Sequence, residues 1–469
     1  MAQKFKKEEL LKEKARKTSV KEASAYSFMD GFGMRYITPY AVALGLKNAY
    51  IGLLTSFPSL LASFSQIFTA RLMEKHSRRK IVFLGVLFQA LMWLGLIAIG
   101  VYHYYFNASQ QITSNSLVIV YTLLVLFGSL AGPAWTSWMK DIVKEKERGK
   151  YFSRRNKIAG TISLMGMLIA GFILDYFKQT KIFYAFIILF TIAFLGRFVS
   201  AMFFTKQYEP KLKLERGYYF SFWQFVKKMP YNNFGRFVIF YALIMFTTSV
   251  ASPFFAVFLL KDMNIMNIQY GYIFFTLISM GGSVASLLIM QKWGKFTDKF
   301  GNMRVIKFTS YLIPLVPLLY FISFFIFKMF GYTAFIIFII IEELLSGAIW
   351  AGFNLAAANF IYDAVTRERI ALCVTYQGMI SGLAIFLGAT IGGIIASFDF
   401  NLIGLTPLLF LFLISIFLRL AVPVFFNSKI NEVREVEEPD MEEIKKDLIF
   451  PRIPLMETIQ SKLFKPRPN

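Results

Sequence analysis

Gly294-Lys-Phe-Thr-Asp-Lys-Phe-Gly-Asn-Met-Arg304 repeats, with changes, the loop Ala70-Arg-Leu-Met-Glu-Lys-His-Ser-Arg-Arg-Lys80. At an offset of 224 residues Ala70 falls on Gly294, Glu74 on Asp298, Lys75 on Lys299, Ser77 on Gly301 and Lys80 on Arg304. Further along the chain the offset becomes 222, pairing Asp141 with Asp363, Gly160 with Gly382, Gly171 with Gly393 and Arg197 with Arg419. Nearer the amino terminus it is 214, pairing Pro39 with Pro253 and Lys47 with Lys261. A period this long is no solenoid repeat; it predicts two structurally equivalent halves.

The medium in which those halves fold follows from composition. Hydrophobic residues make up 56% of the 469, with 54 Phe, and the mean hydropathy of +0.54 exceeds what a water-facing surface tolerates. Twelve apolar segments lie near 26–46, 49–69, 81–101, 116–138, 157–177, 182–204, 237–260, 270–291, 304–327, 333–358, 370–396 and 402–426. Each has the length a helix needs to cross a hydrocarbon core of about 30 Å, whereas barrel strands would be half as long and would alternate. The expected fold is an all-α membrane protein of twelve transmembrane helices in two pseudo-symmetric six-helix bundles. The organisation read from the sequence is a basic amino terminus over 1–25, a first bundle over 26–204, a linker with an interfacial helix over 205–236, a second bundle over 237–426 and a tail over 427–469. In so apolar a chain an internal duplication is the mark of a transporter.

A net charge of +23 raises the question of nucleic acid, and the distribution of the charges answers it. With both termini cytosolic, 43 of the 51 Lys and Arg fall in the amino terminus, the cytosolic loops and the tail, which is the positive-inside pattern of a multi-pass protein of the cytoplasmic membrane. Basic loops of this kind meet anionic lipid head groups, so no polynucleotide partner is expected. Residues 1–24 are charged and the first apolar segment runs on as a span, so no cleavable signal peptide is expected. The single Cys373 forms no intramolecular disulfide, and His76 with His103 makes no convincing metal site. No cofactor is expected, no nucleophile and base arrangement marks an enzyme, and no G-x-x-x-x-G-K-[ST] loop binds ATP.

The repeated loop, of the form G-x-L-x-D-R-x-G-R-[RK], resembles the signature of the major facilitator superfamily, and the resemblance extends from about residue 26 to 426. The second copy carries Gly294, Asp298, Lys299 and Gly301 at signature positions; the first departs, with Ala70, Glu74 and Ser77. The stretch Pro133-Ala-Trp-Thr-Ser-Trp138, followed by Asp141, Arg148 and Arg154-Arg155-Asn156, looks like a group of prokaryotic permeases to which no substrate attaches. The resemblance implies a monomeric permease that moves a small organic solute by alternating access, with spans one, four, seven and ten lining a central cavity. A proton is the default coupling ion. Efflux of amphipathic compounds, or a receptor or scaffold that has kept the architecture, are the competing readings.

Charges inside spans are costly, so each is a candidate for function. Arg35 on span one and Glu342 or Glu343 on span ten lie at the depth of a central ligand; adjacent helical residues point about 100° apart, so only one glutamate faces the cavity squarely. Trp135, Trp350 and Asn354 are further candidates for substrate contact, with Asn359 and Gln377 as polar neighbours. Asp30, Glu342 and Glu343 are the candidate coupling carboxylates, although an Asp30 to Arg197 pair, or an Arg35 to glutamate strut, would make these groups structural. Arg419 is expected to snorkel or to play a structural part. Glu74, Lys75, Lys80, Asp141 and Arg148 in the first half, with Asp298, Lys299, Arg304, Asp363 and Arg367 in the second, are expected to form a cytosolic latch that clamps in the outward-open state and separates in the inward-open one. Asp141 is expected to pair with Arg148, Arg154 or Arg155 nearby in sequence.

Overall fold

In lipid every backbone polar group needs an internal partner, and a long apolar segment meets that demand alone only as a helix. The computed structural model describes residues 2–144, 147–178, 181–210, 220–366, 369–398 and 405–436. The helices of the first half are α1 (Ala2–Phe32), α2 (Ile37–Ala43), α3 (Asn48–Lys75), α4 (Arg78–Tyr105), α5 (Gln110–Ile142), α6 (Arg148–Phe177) and α7 (Ile182–Lys206). After a short α8 (Phe222–Lys228) come α9 (Asn233–Val257), α10 (Gly271–Phe300), α11 (Asn302–Leu312), α12 (Leu315–Ala364), α13 (Ile370–Ile395) and α14 (Pro407–Phe426).

Nine helical stretches among the described residues are long and apolar enough to cross a membrane. One of them, Asn302–Ala364, crosses twice, because Gly331 at φ 75° reverses the chain between residues 315–330 and 332–364 of α12. Glycine is needed there, since a side chain at that φ is strained. The α1 and α2 pair, charged at its start, and the Ser-rich α3 complete the twelve crossings.

Within the first half α4 packs on α5 and α7, and α1 on α6 and α7; within the second α9 packs on α13 and α14, and α10 on α12. The halves meet along two seams, α3 with α13 and α6 with α10. These are spans two with eleven and five with eight, which exchange under the internal duplication. Large apolar side chains such as Phe172, Leu288 and Phe417 point outward, as lipid contact requires. Both described chain ends lie on one side of the bundle, here the terminal face.

Two elements add to the sequence reading. The first helix begins at Ala2, well before the apolar segment, and its basic start is docked on α5 and α6, where Arg16 donates to the Ile142 carbonyl (3.2 Å) and Tyr151 Oη to the Arg16 carbonyl (3.0 Å). The tail is held over 427–436 against the second half, where Asn431 N donates to Asn233 Oδ1 at 2.9 Å. Helix α8 opens with a capping box of Ser221 and Gln224 and buries Phe225 while exposing Trp223.

Candidate functional site

Helix α1 stops at Gly33, a 3-10 turn spans Met34–Tyr36, and α2 resumes at Ile37. Irregular backbone at membrane depth persists where it lines a cavity, and Arg35 stands in this break with its side chain exposed to one. The neighbouring Tyr36 is buried, and its hydroxyl donates to the Met167 carbonyl on α6 (2.6 Å) and lies 2.8 Å from Thr276 Oγ1 on α10. Three helices from both halves are thereby tied beneath Arg35.

Above that plug lies a cavity of about 520 Å³ between α1, α6, α10 and α12, lined by Asp30, Arg35, Glu343, Trp350 and Asn354 and by serines from α6, α10 and α12. The two glutamates diverge. Glu343 faces the cavity and accepts a hydrogen bond from Tyr320 Oη at 2.7 Å. Glu342 is 1% exposed, and neither carboxylate oxygen has a hydrogen-bond partner among the described residues. Asp30 Oδ2 accepts from Ser163 Oγ at 2.6 Å. Arg35 makes no ion pair with either cavity carboxylate within 4.0 Å, so the alternative reading of an Arg35 to glutamate strut is not met.

The expected Asp30 to Arg197 pair is also absent. Arg197 donates from Nε to Gln89 Oε1 (2.7 Å) and from Nη1 to Ser200 Oγ (3.2 Å), with Glu22 at 3.9 Å. Helix rotation is the reason: Asp30 points toward α6, and Arg197 on α7 meets the α1 face one and two turns earlier, stacking on Tyr26 at 4.9 Å. Glu22, which also pairs with Arg155 at 2.9 Å, is 3% exposed and went unsingled in the sequence because it sits among cytosolic-looking charges. Trp135 lines a separate cavity of about 290 Å³ with Glu22, Arg155 and Arg197, and the Arg155 guanidinium lies 4.6 Å from its ring centre. Trp138 is fully buried and donates to the Tyr208 carbonyl at 2.9 Å. Arg419 does not snorkel. It is fully buried, donating to the carbonyls of Thr248 (3.1 Å) and Ile313 (3.4 Å), because α9 and α11 close over it before it can reach an interface.

At the terminal face Asp141 pairs with Arg78 (2.6 Å), not with the arginines beyond it. Arg148 folds back on the end of α5, donating to the carbonyls of Lys140 (3.0 Å) and Val143 (3.3 Å), while Arg154 is exposed. Arg78 is fully buried, and Glu209 accepts from its backbone N (2.8 Å) and its Nε (3.4 Å). The second half answers with Asn302 Nδ2 donating to Asp363 Oδ2 (2.6 Å), Arg434 Nε at 3.1 Å from Asp363, and Glu432 accepting from Met303 N (2.7 Å). Glu209 and Glu432 stand 223 residues apart, one residue off the offset of 222 that holds up to Arg197 and Arg419, so the duplication brings them to neighbouring positions without pairing them. Glu74, Lys75, Lys80 and Asp298 are exposed, Lys299 lies 5.1 Å from the Phe300 ring centre, and Arg304 is half-buried. Arg367 lies outside the described residues.

The opposite face is bridged between halves. Asn48 Nδ2 donates to the Ala396 carbonyl (2.7 Å), Lys261 Nζ to the Leu46 carbonyl (2.9 Å) and Lys178 Nζ to the Ile268 carbonyl (2.6 Å). Asp175 accepts from the backbone N of Tyr272 (3.1 Å) and Ile273 (2.8 Å) at the start of α10, where the helix dipole favours an anion. The ion pairs given above for the terminal face each join residues of one half.

Comparison with known proteins agrees with this geometry. The sequence profile of the Major Facilitator Superfamily matches residues 23–353. The chain therefore belongs to that superfamily, and it is a multi-pass membrane protein whose fold and family are those of a transporter of small-molecule solutes, not of an enzyme. Among solved structures it is similar to the nucleoside transporter NupG (TM-score 0.65, 13% identity, covering 88% of this chain and 98% of that one). It is also similar to a bacterial homologue of the iron transporter ferroportin in its inward-facing state (0.64, 12%, 88% and 99%) and to the POT family transporter PepTSo (0.61, 12%, 89% and 98%). No curated protein sequence matches the chain.

Proposed function

We propose that this protein is a secondary active transporter that carries a small polar organic solute across the cytoplasmic membrane by rocking its two halves about the central cavity. The observation that carries this reading is the charged cavity of about 520 Å³ at the junction of the halves, plugged on one side by Tyr36, Met167 and Thr276. With both termini in the cytosol, as the distribution of basic residues favours, the bridged face is external and the conformation is inward-facing. Proton coupling is assigned to Glu343, which reaches the cavity, with Asp30 and the interior Glu342 as the further carboxylates. A wall bearing Asp30, Arg35, Glu343 and several serines suits a polar solute better than the amphipathic compounds of an efflux pump.

In the outward-facing state the exposed Glu74, Lys75, Lys80 and Asp298, with the half-buried Lys299 and Arg304, would approach across the terminal face and clamp it, together with Asp141, Arg148, Asp363 and Arg367. The test is reconstitution of the monomer in liposomes holding a pH-sensitive dye. A solute that stabilises the protein against heat should dissipate an imposed proton gradient, and Glu343→Gln should stop the proton flux while leaving solute binding detectable. Binding with no solute or proton movement would leave a receptor or scaffold in place of a carrier. For the latch, Asp298→Asn should raise the labelling of cysteines placed on the terminal face; unchanged labelling and unchanged transport would remove it.

A further inference from the structure

Three charged side chains line the central cavity, and their bonding differs. Asp30 is engaged through Oδ2 by Ser163, and Glu343 through Oε1 by Tyr320, whose side chain is itself buried. The second oxygen of each, Asp30 Oδ1 and Glu343 Oε2, has no hydrogen-bond partner among the described residues; Oε2 lies beside Gly282 on the cavity wall, and Glu343 is the carboxylate that the second half contributes. Arg35 has no hydrogen bond or ion pair with any described residue, although the turn that bears it is pinned through Tyr36. A cation from the first half and an anion from the second thus share one chamber, more than 4.0 Å apart and unpaired with each other.

We propose that the cavity recognises a small zwitterion, its carboxylate on Arg35 and its amino group on Glu343. This rests on the transport reading above. When the chamber closes and sheds water, an unpaired charge is costly, so the favoured cargo satisfies both groups at once. A simple amine leaves Arg35 bare, a simple acid leaves Glu343 bare and meets Asp30, and a neutral polyol leaves both. Because Arg35 and Glu343 belong to different halves, a ligand holding both ends also favours the closure that alternating access requires. The volume of about 520 Å³ admits an amino acid or a short peptide, and the serine hydroxyls facing it can bond the body of the ligand.

The full chain is tested in detergent by thermal shift and in liposomes by counterflow. The probes are leucine and alanyl-alanine as zwitterions, isoamylamine and N-acetyl-leucine as single-charge analogues, and glucose and uridine as neutral solutes. A zwitterion should raise the melting temperature, and either single-charge analogue should bind at least about tenfold more weakly. Arg35→Ala should abolish the preference for zwitterion over amine, Glu343→Gln the preference for zwitterion over N-acetylated acid, and Arg35→Lys should restore much of the first. A site of purely structural residues would lower all affinities together without moving these ratios. Binding of glucose or uridine with the zwitterions silent overturns the assignment and leaves the transporter standing. Silence of the zwitterions against every probe overturns it as well. Charge-selective binding without counterflow upholds the ligand class and overturns the transport reading.

Discussion

The two halves close their terminal faces with the same geometry and different chemistry. In the first, Arg78 reaches Asp141 at the end of α5, while Glu209 beyond α7 caps the start of α4. In the second, Asn302 holds the place of Arg78, Asp363 that of Asp141 and Glu432 that of Glu209, and the cation comes from the tail as Arg434. An arginine within the first half thus does what an asparagine and a tail arginine do together in the second. The comparison teaches that the tail is a working part of the second half over the stretch that reaches Arg434.

The largest expected effect is on the first cluster. Arg78→Ala leaves Asp141 and Glu209 without their buried cation and should lower stability by about 3 kcal/mol, read as a fall in melting temperature in detergent. The corresponding Asn302→Ala should cost far less, since Arg434 still neutralises Asp363; equal losses would break the comparison. Glu432→Ala removes the acceptor at Met303 N and should lower stability by about 1 kcal/mol, with Glu432→Gln recovering part of it. The loops separate next. Gly301 sits at φ 90°, and a side chain there would meet the Glu432 carboxylate, so Gly301→Ser should destabilise by about 1 to 2 kcal/mol. Ser77, at φ −64°, accepts from Lys80 N as a helix cap, so Ser77→Gly should cost only a few tenths of a kcal/mol.

The smallest effect concerns the amino-terminal helix. Partial burial pushes the Glu9 carboxyl up, but hydrogen bonds from Lys144 and Arg16 outweigh it and hold the group below the usual carboxylate range. A carboxyl lowered by folding stabilises at neutral pH and loses that contribution as pH falls through its folded value. Glu9→Gln should therefore lower the melting temperature slightly at neutral pH and leave it unchanged in acid, which flattens the acid limb of melting temperature against pH.

Much of this was legible in the chain. Segment length and apolarity determined the helices, because lipid offers backbone groups no other partner. The run of offsets from 214 to 224 declared the duplication, and the placement of Lys and Arg argued the orientation. Arg35, Glu343, Trp350 and Asn354 share the cavity wall as spacing along their helices allowed. What the tertiary structure alone decided is which way each charge turns. Glu342 and Glu343 are neighbours in sequence, yet one is entombed and the other faces the chamber; Asp30 meets Ser163 instead of Arg197; Glu22 joins the interior from a stretch that reads as cytosolic. Helical periodicity sets angles within one helix, whereas a charge acquires its partner from the rotation and tilt of helices packed beside it, and those are settled by contacts hundreds of residues apart.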